Sequence, residues 1–119
     1  MRNDKPNLIV NLTFEFALKV IEFTEGLELL RKFNMANQLF RSGTAIGALV
    51  HEAQNAESKA DFIHKLKIAS KEADETLYWL LLCNHSKNYP SSEALLADID
   101  AIVKILSKII GTTKRGLVI

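Results

Sequence analysis

Gln38-Leu39-Phe40-Arg41-Ser42-Gly43-Thr44-Ala45-Ile46-Gly47-Ala48, then Glu52-Ala53, then Ser58-Lys59-Ala60-Asp61-Phe62, Lys65-Leu66-Lys67-Ile68-Ala69, Lys71-Glu72, Glu75-Thr76 and Tyr78-Trp79-Leu80, decide the fold. Leu39, Gly43, Ile46, Val50 and Ala53 recur at steps of four and three, the spacing of one buried helix face. Phe62, Leu66, Ala69, Ala73, Thr76 and Leu80 repeat the pattern downstream. The spacing predicts helices over about 35–56 and 58–84. Ser58 followed by Asp61 reads as a capping box that starts the second of them. Gly43 and Gly47 fall in mid-helix, where glycine costs about 1 kcal/mol relative to alanine, so a neighbouring backbone is expected to approach closely there.

Working outward, a first helix is predicted over about 13–32, with Phe16, Val20, Phe23, Leu27 and Leu30 as its seam. Phe14, Ala17, Leu18 and Ile21 form a second apolar stripe on nearly the opposite side, which leaves Glu15, Lys19 and Glu22 as the wet strip. A lone bundle normally buries one stripe per helix, so the second predicts an oligomer. Asn34 is read as the break before the next helix. A fourth helix is predicted over about 92–110, with Leu95, Ile99, Ile102, Leu106 and Ile109 inward, Pro90 before it and Gly111 as its stop. The tail 112–119 has no period and is expected to be mobile. The expected fold is all-α, an up-down-up-down antiparallel four-helix bundle forming a single domain over 1–119.

Composition narrows the function. The chain has 119 residues with 15 basic against 14 acidic, a formal net charge of +1, which disfavours a strongly electrostatic nucleic-acid binder. The single cysteine, Cys83, has no partner for an intramolecular disulfide. No secretory signal precedes the first helix, and no run reaches the 18 or so apolar residues of a membrane span. A cytoplasmic protein is expected.

Chemistry-bearing patterns are absent. A ferritin-like di-metal site needs Glu-x-x-His pairs, and none occurs. His51-Glu52 lacks the second histidine of a zinc-protease helix, and His51, His64 and His85 have no ligand spacing. Neither a nucleophile–base arrangement nor a phosphate-cradling glycine loop is visible. The expectation is no enzyme, no metal and no cofactor. Arg41 and Glu52, three turns apart on one helix, are read as structural ion pairs first and ligand contacts second. Tyr78 and Trp79 suit either a seam or an interface. Lys71 and Glu75 are spaced to pair along one helix. Lys104, Lys108, Lys114 and Arg115 make the better of two candidate basic patches for weak, salt-sensitive nucleic-acid binding.

The quoted run resembles the signature of the small bacterial four-helix-bundle family named after intervening sequences in 23S ribosomal RNA genes. The resemblance covers about residues 12–110. Members commonly show Arg-Ser-Gly-Thr-Ser-Ile-Gly-Ala-Asn followed by Glu-Ala; this chain departs at Ala45 and Leu49, so no polar role carries over to those two positions. Arg41, Ser42, Gly43, Gly47, Glu52, Asp61, Phe62, Glu72, Tyr78 and Trp79 match. The resemblance implies a homopentamer around a central channel, with no associated enzymatic activity. It also implies kinship with the accessory protein of diversity-generating retroelements, a basic pentamer that binds nucleic acid and a reverse transcriptase. Two functions follow as expectations. One is a non-enzymatic homo-oligomeric scaffold built through Phe14, Leu18 and Ile21; the other is a nucleic-acid-binding accessory factor.

Overall fold

The computed structural model describes residues 7–116, and these fold as four helices: α1 Leu8–Leu29, α2 Phe33–Ala53, α3 Lys59–His85 and α4 Glu93–Lys114. Each helix packs on its neighbours in the chain and α4 closes on α1, while α1 and α3, like α2 and α4, do not meet. Cross-helix contacts fix the directions. Asn7 Nδ2 donates to Gln54 Oε1, Lys65 pairs with Glu52, the Ser92 hydroxyl donates to the Leu80 carbonyl, and Lys19 pairs with Asp98. Every adjacent pair is therefore antiparallel, the expected up-down-up-down bundle.

The two central seams lie where the periodicity puts them: Leu39, Gly43, Ile46, Val50 and Ala53 are buried, as are Phe62, Leu66, Ala69, Ala73, Thr76 and Leu80. The ends differ from expectation. α1 begins at Leu8 rather than Thr13, because Ile9 and Thr13 continue the buried line of Phe16 and Val20 upstream. Leu30 leaves the seam for solvent and Phe23 is half-buried. Asn34 is not a break, since α2 already contains it. The chain instead turns at Arg31, which has φ 63°, with Lys32 N–H donating to the Leu27 carbonyl at 2.8 Å and Arg31 N–H to that of Glu28 at 2.9 Å. This is the double-bonded helix stop usually built on glycine. Arginine in that place hides it from a sequence reading.

At the other end α4 runs through Gly111 to Lys114, so Gly111 is not its stop and Thr112 to Lys114 are helical, not a mobile tail. Arg115 caps the helix and Gly116 follows in a turn, and the last residues of that predicted tail, 117–119, lie outside the described residues. Threonine explains both misplaced ends. The Thr13 hydroxyl donates to the Ile9 carbonyl at 2.8 Å and that of Thr113 to Ile109 at 2.7 Å. A hydroxyl satisfied by its own helix can be buried as though apolar, and both residues are. The Ser58 cap is as expected: its Oγ accepts from Asp61 N–H at 3.0 Å, and Asp61 Oδ2 accepts from Glu57 N–H at 3.1 Å.

The mid-helix glycines set the α1–α2 approach. A Cβ at Gly43 would lie 2.8 Å from both Val20 methyls, and one at Gly47 would lie 3.1 Å from the Thr13 carbonyl oxygen. Valine is stiff at χ1, so Val20 cannot swing aside. Overpacking costs about 1–3 kcal/mol, against about 1 kcal/mol of helix propensity gained on replacing glycine. Gly43→Ala is expected to lower stability in urea unfolding by about 1 kcal/mol net, and adding Val20→Ala to recover part of the loss.

Candidate functional site

The polar residues of the quoted run gather mainly along the α2–α3 seam, whereas Gly43 and Gly47 face α1. Arg41 Nη1 donates to Glu72 Oε1 at 3.2 Å, and its Nη2 bonds Glu75 Oε2. Glu75 Oε2 also accepts from the indole N–H of Trp79 at 3.1 Å. The hydrogen bond that Arg41 donates to Glu75 raises the Arg41 pKa. The same bond, followed by that from Trp79, lowers the pKa of Glu75. Glu75 is thus held as an anion by the guanidinium and the indole N–H. Glu75 does not pair with Lys71 as expected, because Arg41 reaches it first from the facing helix. Three turns along, Lys65 Nζ meets Glu52 Oε1 at 3.0 Å, and that hydrogen bond raises the Lys65 pKa.

Beneath this polar line the chain is dry. Phe62 is in the core, and the Thr76 hydroxyl lies 2.9 Å from that of Ser42 and 2.8 Å from the Glu72 carbonyl, all buried or nearly so. With one proton each, the satisfied arrangement has Thr76 donating to the carbonyl and Ser42 donating to Thr76. Arg41, Ser42, Glu52, Lys65, Glu72, Glu75 and Thr76 therefore lock α2 to α3, and Trp79 holds Glu75 in place within α3. Tyr78 alone points away, its ring 5.5 Å from that of Trp79 and tilted by 60°. No buried side-chain polar atom among the described residues lacks a partner.

His51, His64 and His85 are exposed and separate, and among the described residues no group of His, Cys, Asp and Glu is placed to hold a metal. Burial pushes the Cys83 thiol up to about 11, which leaves it an unreactive core residue. No described helix is long and apolar enough to cross a membrane. The basic patch is divided. Lys104 is tied to Asp100 at 2.9 Å, whereas Lys114 reaches Lys67 on α3, whose pKa it lowers through the close approach of a second ammonium group. Arg115 folds back over Gly111. The Lys67–Lys114 meeting was not legible in the sequence, since 47 residues separate the two.

The outward side of α1 presents an apolar surface to water, as do Leu29, Leu30 and Phe33 around the α1–α2 turn. Phe14 is 60% exposed and Leu18 47%, and Ile21 is half-buried. Phe40 of α2, 47% exposed, stands beside Ile21 on the same outer groove. A second groove of about 460 Å³ runs between Phe14, Ala17, Thr44, Gly47 and Ala48. Sequence reading found Phe14, Leu18 and Ile21 but missed Phe40, which is one position outside the α2 seam.

An all-α bundle with an α2–α3 lock and an apolar outer face defines the class. The chain belongs to the 23S rRNA-intervening sequence protein family, which it matches over residues 5–108. It is similar to the crystal structure of a protein with unknown function from the S23 ribosomal protein family of Bacteroides thetaiotaomicron VPI-5482. The two are 41% identical with a TM-score of 0.82, over 86% of this chain and 97% of that one. Among curated proteins, nothing matches this chain.

Thr76→Val strands the buried Ser42 hydroxyl and is expected to cost about 1–3 kcal/mol, whereas Ser42→Ala with Thr76→Val, which removes both polar partners, should cost less than Thr76→Val alone. A urea double-mutant cycle reads the difference.

Proposed function

We infer that this protein is a non-enzymatic, homo-oligomeric interaction protein whose function is exerted through an assembly of bundles. The outward face of α1 carries the inference. The core of the bundle is complete without Phe14, Leu18 and Ile21, and among the polar motif residues Arg41, Ser42, Glu52 and Glu72 bond across α2 and α3 while Asp61 caps α3 and Trp79 bonds Glu75 within it. Contiguous exposed apolar side chains of this size mark an interface. A closed ring of five copies is the assembly that the family resemblance implies.

A nucleic-acid-binding accessory role has weaker support. The formal net charge is +1, and Lys104 of the expected patch is neutralised by Asp100. Phosphate binding draws on many unpaired cations, and Lys108, Lys114 and Arg115 are few.

Light scattering at micromolar concentration is expected to give a multiple of the 13.3 kDa chain mass. Leu18→Glu, at a position exposed in the monomer, should reduce it to the monomer while circular dichroism stays helical. A wild-type monomer would overturn the proposed function.

A further inference from the structure

The outward faces of α1 and α3 are patterned in opposite order. On α1, Phe14, Leu18, Ile21 and Glu25 succeed one another at steps of four, three and four, with Glu28 and Glu22 beside them. The row is apolar toward the N-terminus and acidic toward the C-terminus. On α3, Lys67, Lys71, Asp74 and Tyr78 follow the same steps, with His64 before them and exposed Leu81 after. That row is basic first and apolar last. Among the described residues, neither Glu22, Glu25 and Glu28 nor Lys71 has an ion-pair partner.

We propose that the outward face of α1 in one copy docks antiparallel on the outward face of α3 in a second copy, with Phe14 and Leu18 against Tyr78 and Leu81, and with Glu25 and Glu28 against Lys71 and Lys67. The proposal deepens the oligomer reading and rests on it. The lengths agree: Leu18 to Glu28 spans about 15 Å of helix and Tyr78 to Lys67 about 16 Å. The register pairs opposite charges at one end and apolar side chains at the other. Asp74 is its one mismatch, falling opposite Ile21.

Two further observations favour this partner over any other. Lys67 stands against Lys114 and is held below the ordinary lysine pKa by it; a glutamate from a neighbouring copy relieves that repulsion. α1 and α3 also occupy diagonal positions and do not touch, so one molecule presents both faces at once. A face-to-different-face contact of this kind propagates from copy to copy and closes into a ring where the rotation allows. A face that met only its own equivalent would stop at two.

Charge exchange tests the pairing on the full chain. Lys67→Glu with Lys71→Glu places acid against acid, and Glu25→Lys with Glu28→Lys places base against base. Each pair of changes should raise the dissociation constant about tenfold or more, because facing like charges disfavour association strongly. The four changes in one chain restore complementarity and should restore the wild-type mass in light scattering. All four positions are exposed, so helicity by circular dichroism should hold throughout. A wild-type oligomer that Leu18→Glu dissociates but Lys67→Glu with Lys71→Glu does not would overturn the pairing and leave the oligomer standing. Failure of the four-fold variant to reassemble would also overturn it. So would retention of a labelled single-stranded RNA by the wild-type assembly that Lys67→Glu with Lys71→Glu abolishes without changing its mass, since that result assigns the lysines to phosphates. A wild-type monomer would remove both this pairing and the proposed function.

Discussion

The approach of α1 to α2 at Gly43 and Gly47 is the contact on which the rest depends. Val20 fills the space that a Cβ at Gly43 would take, and the Thr13 carbonyl lies against Gly47. Two glycines in mid-helix cost helix propensity, and the cost is offset by van der Waals contact that no larger residue would allow. Because α2 is thin on that side, α1 sits deep with Ile9, Phe16, Val20 and Leu27 inside. Its opposite side is thereby turned to the surface. The outward position of Phe14 and Leu18 is a geometric consequence of how α1 is seated.

The lock between α2 and α3 is of a different kind. Its ion pairs are exposed and contribute little to stability on their own. What they supply is register. Arg41 can reach Glu72 and Glu75 together, and Lys65 can reach Glu52, only when α3 is set at one height along α2. The apolar seams beneath supply the driving force, and a one-turn slide of α3 along α2 would part these pairs as well. The polar pairs discriminate between such slides. The residues that identify the family are thus largely those that align two helices, so the family is easier to recognise than its task.

Four helices, their antiparallel order and both central seams were legible because period and turn residues agree along most of the chain. The helix ends were not, for local reasons: Arg31 takes a backbone conformation normally given to glycine, and Thr13 and Thr113 behave as apolar once their hydroxyls are bonded within the helix. Sequence spacing also proposed a Lys71–Glu75 pair, because along one helix those two are neighbours. It had no means of knowing that Arg41 competes from another helix.

By itself the sequence determined the helical class, the inward faces and the existence of a second apolar stripe on α1, since all of these follow from the 3.6-residue period of a single helix. Only the tertiary structure decided which side chains from different helices meet. It brought Arg41 to Glu72 and Glu75, set Phe40 beside Ile21, and placed Lys67 against Lys114. The physical reason is that meetings across a bundle depend on the height and rotation of each helix against its neighbour. Those are set by packing details, such as a missing Cβ at Gly43, whose consequence at residues far along the chain carries no local signal.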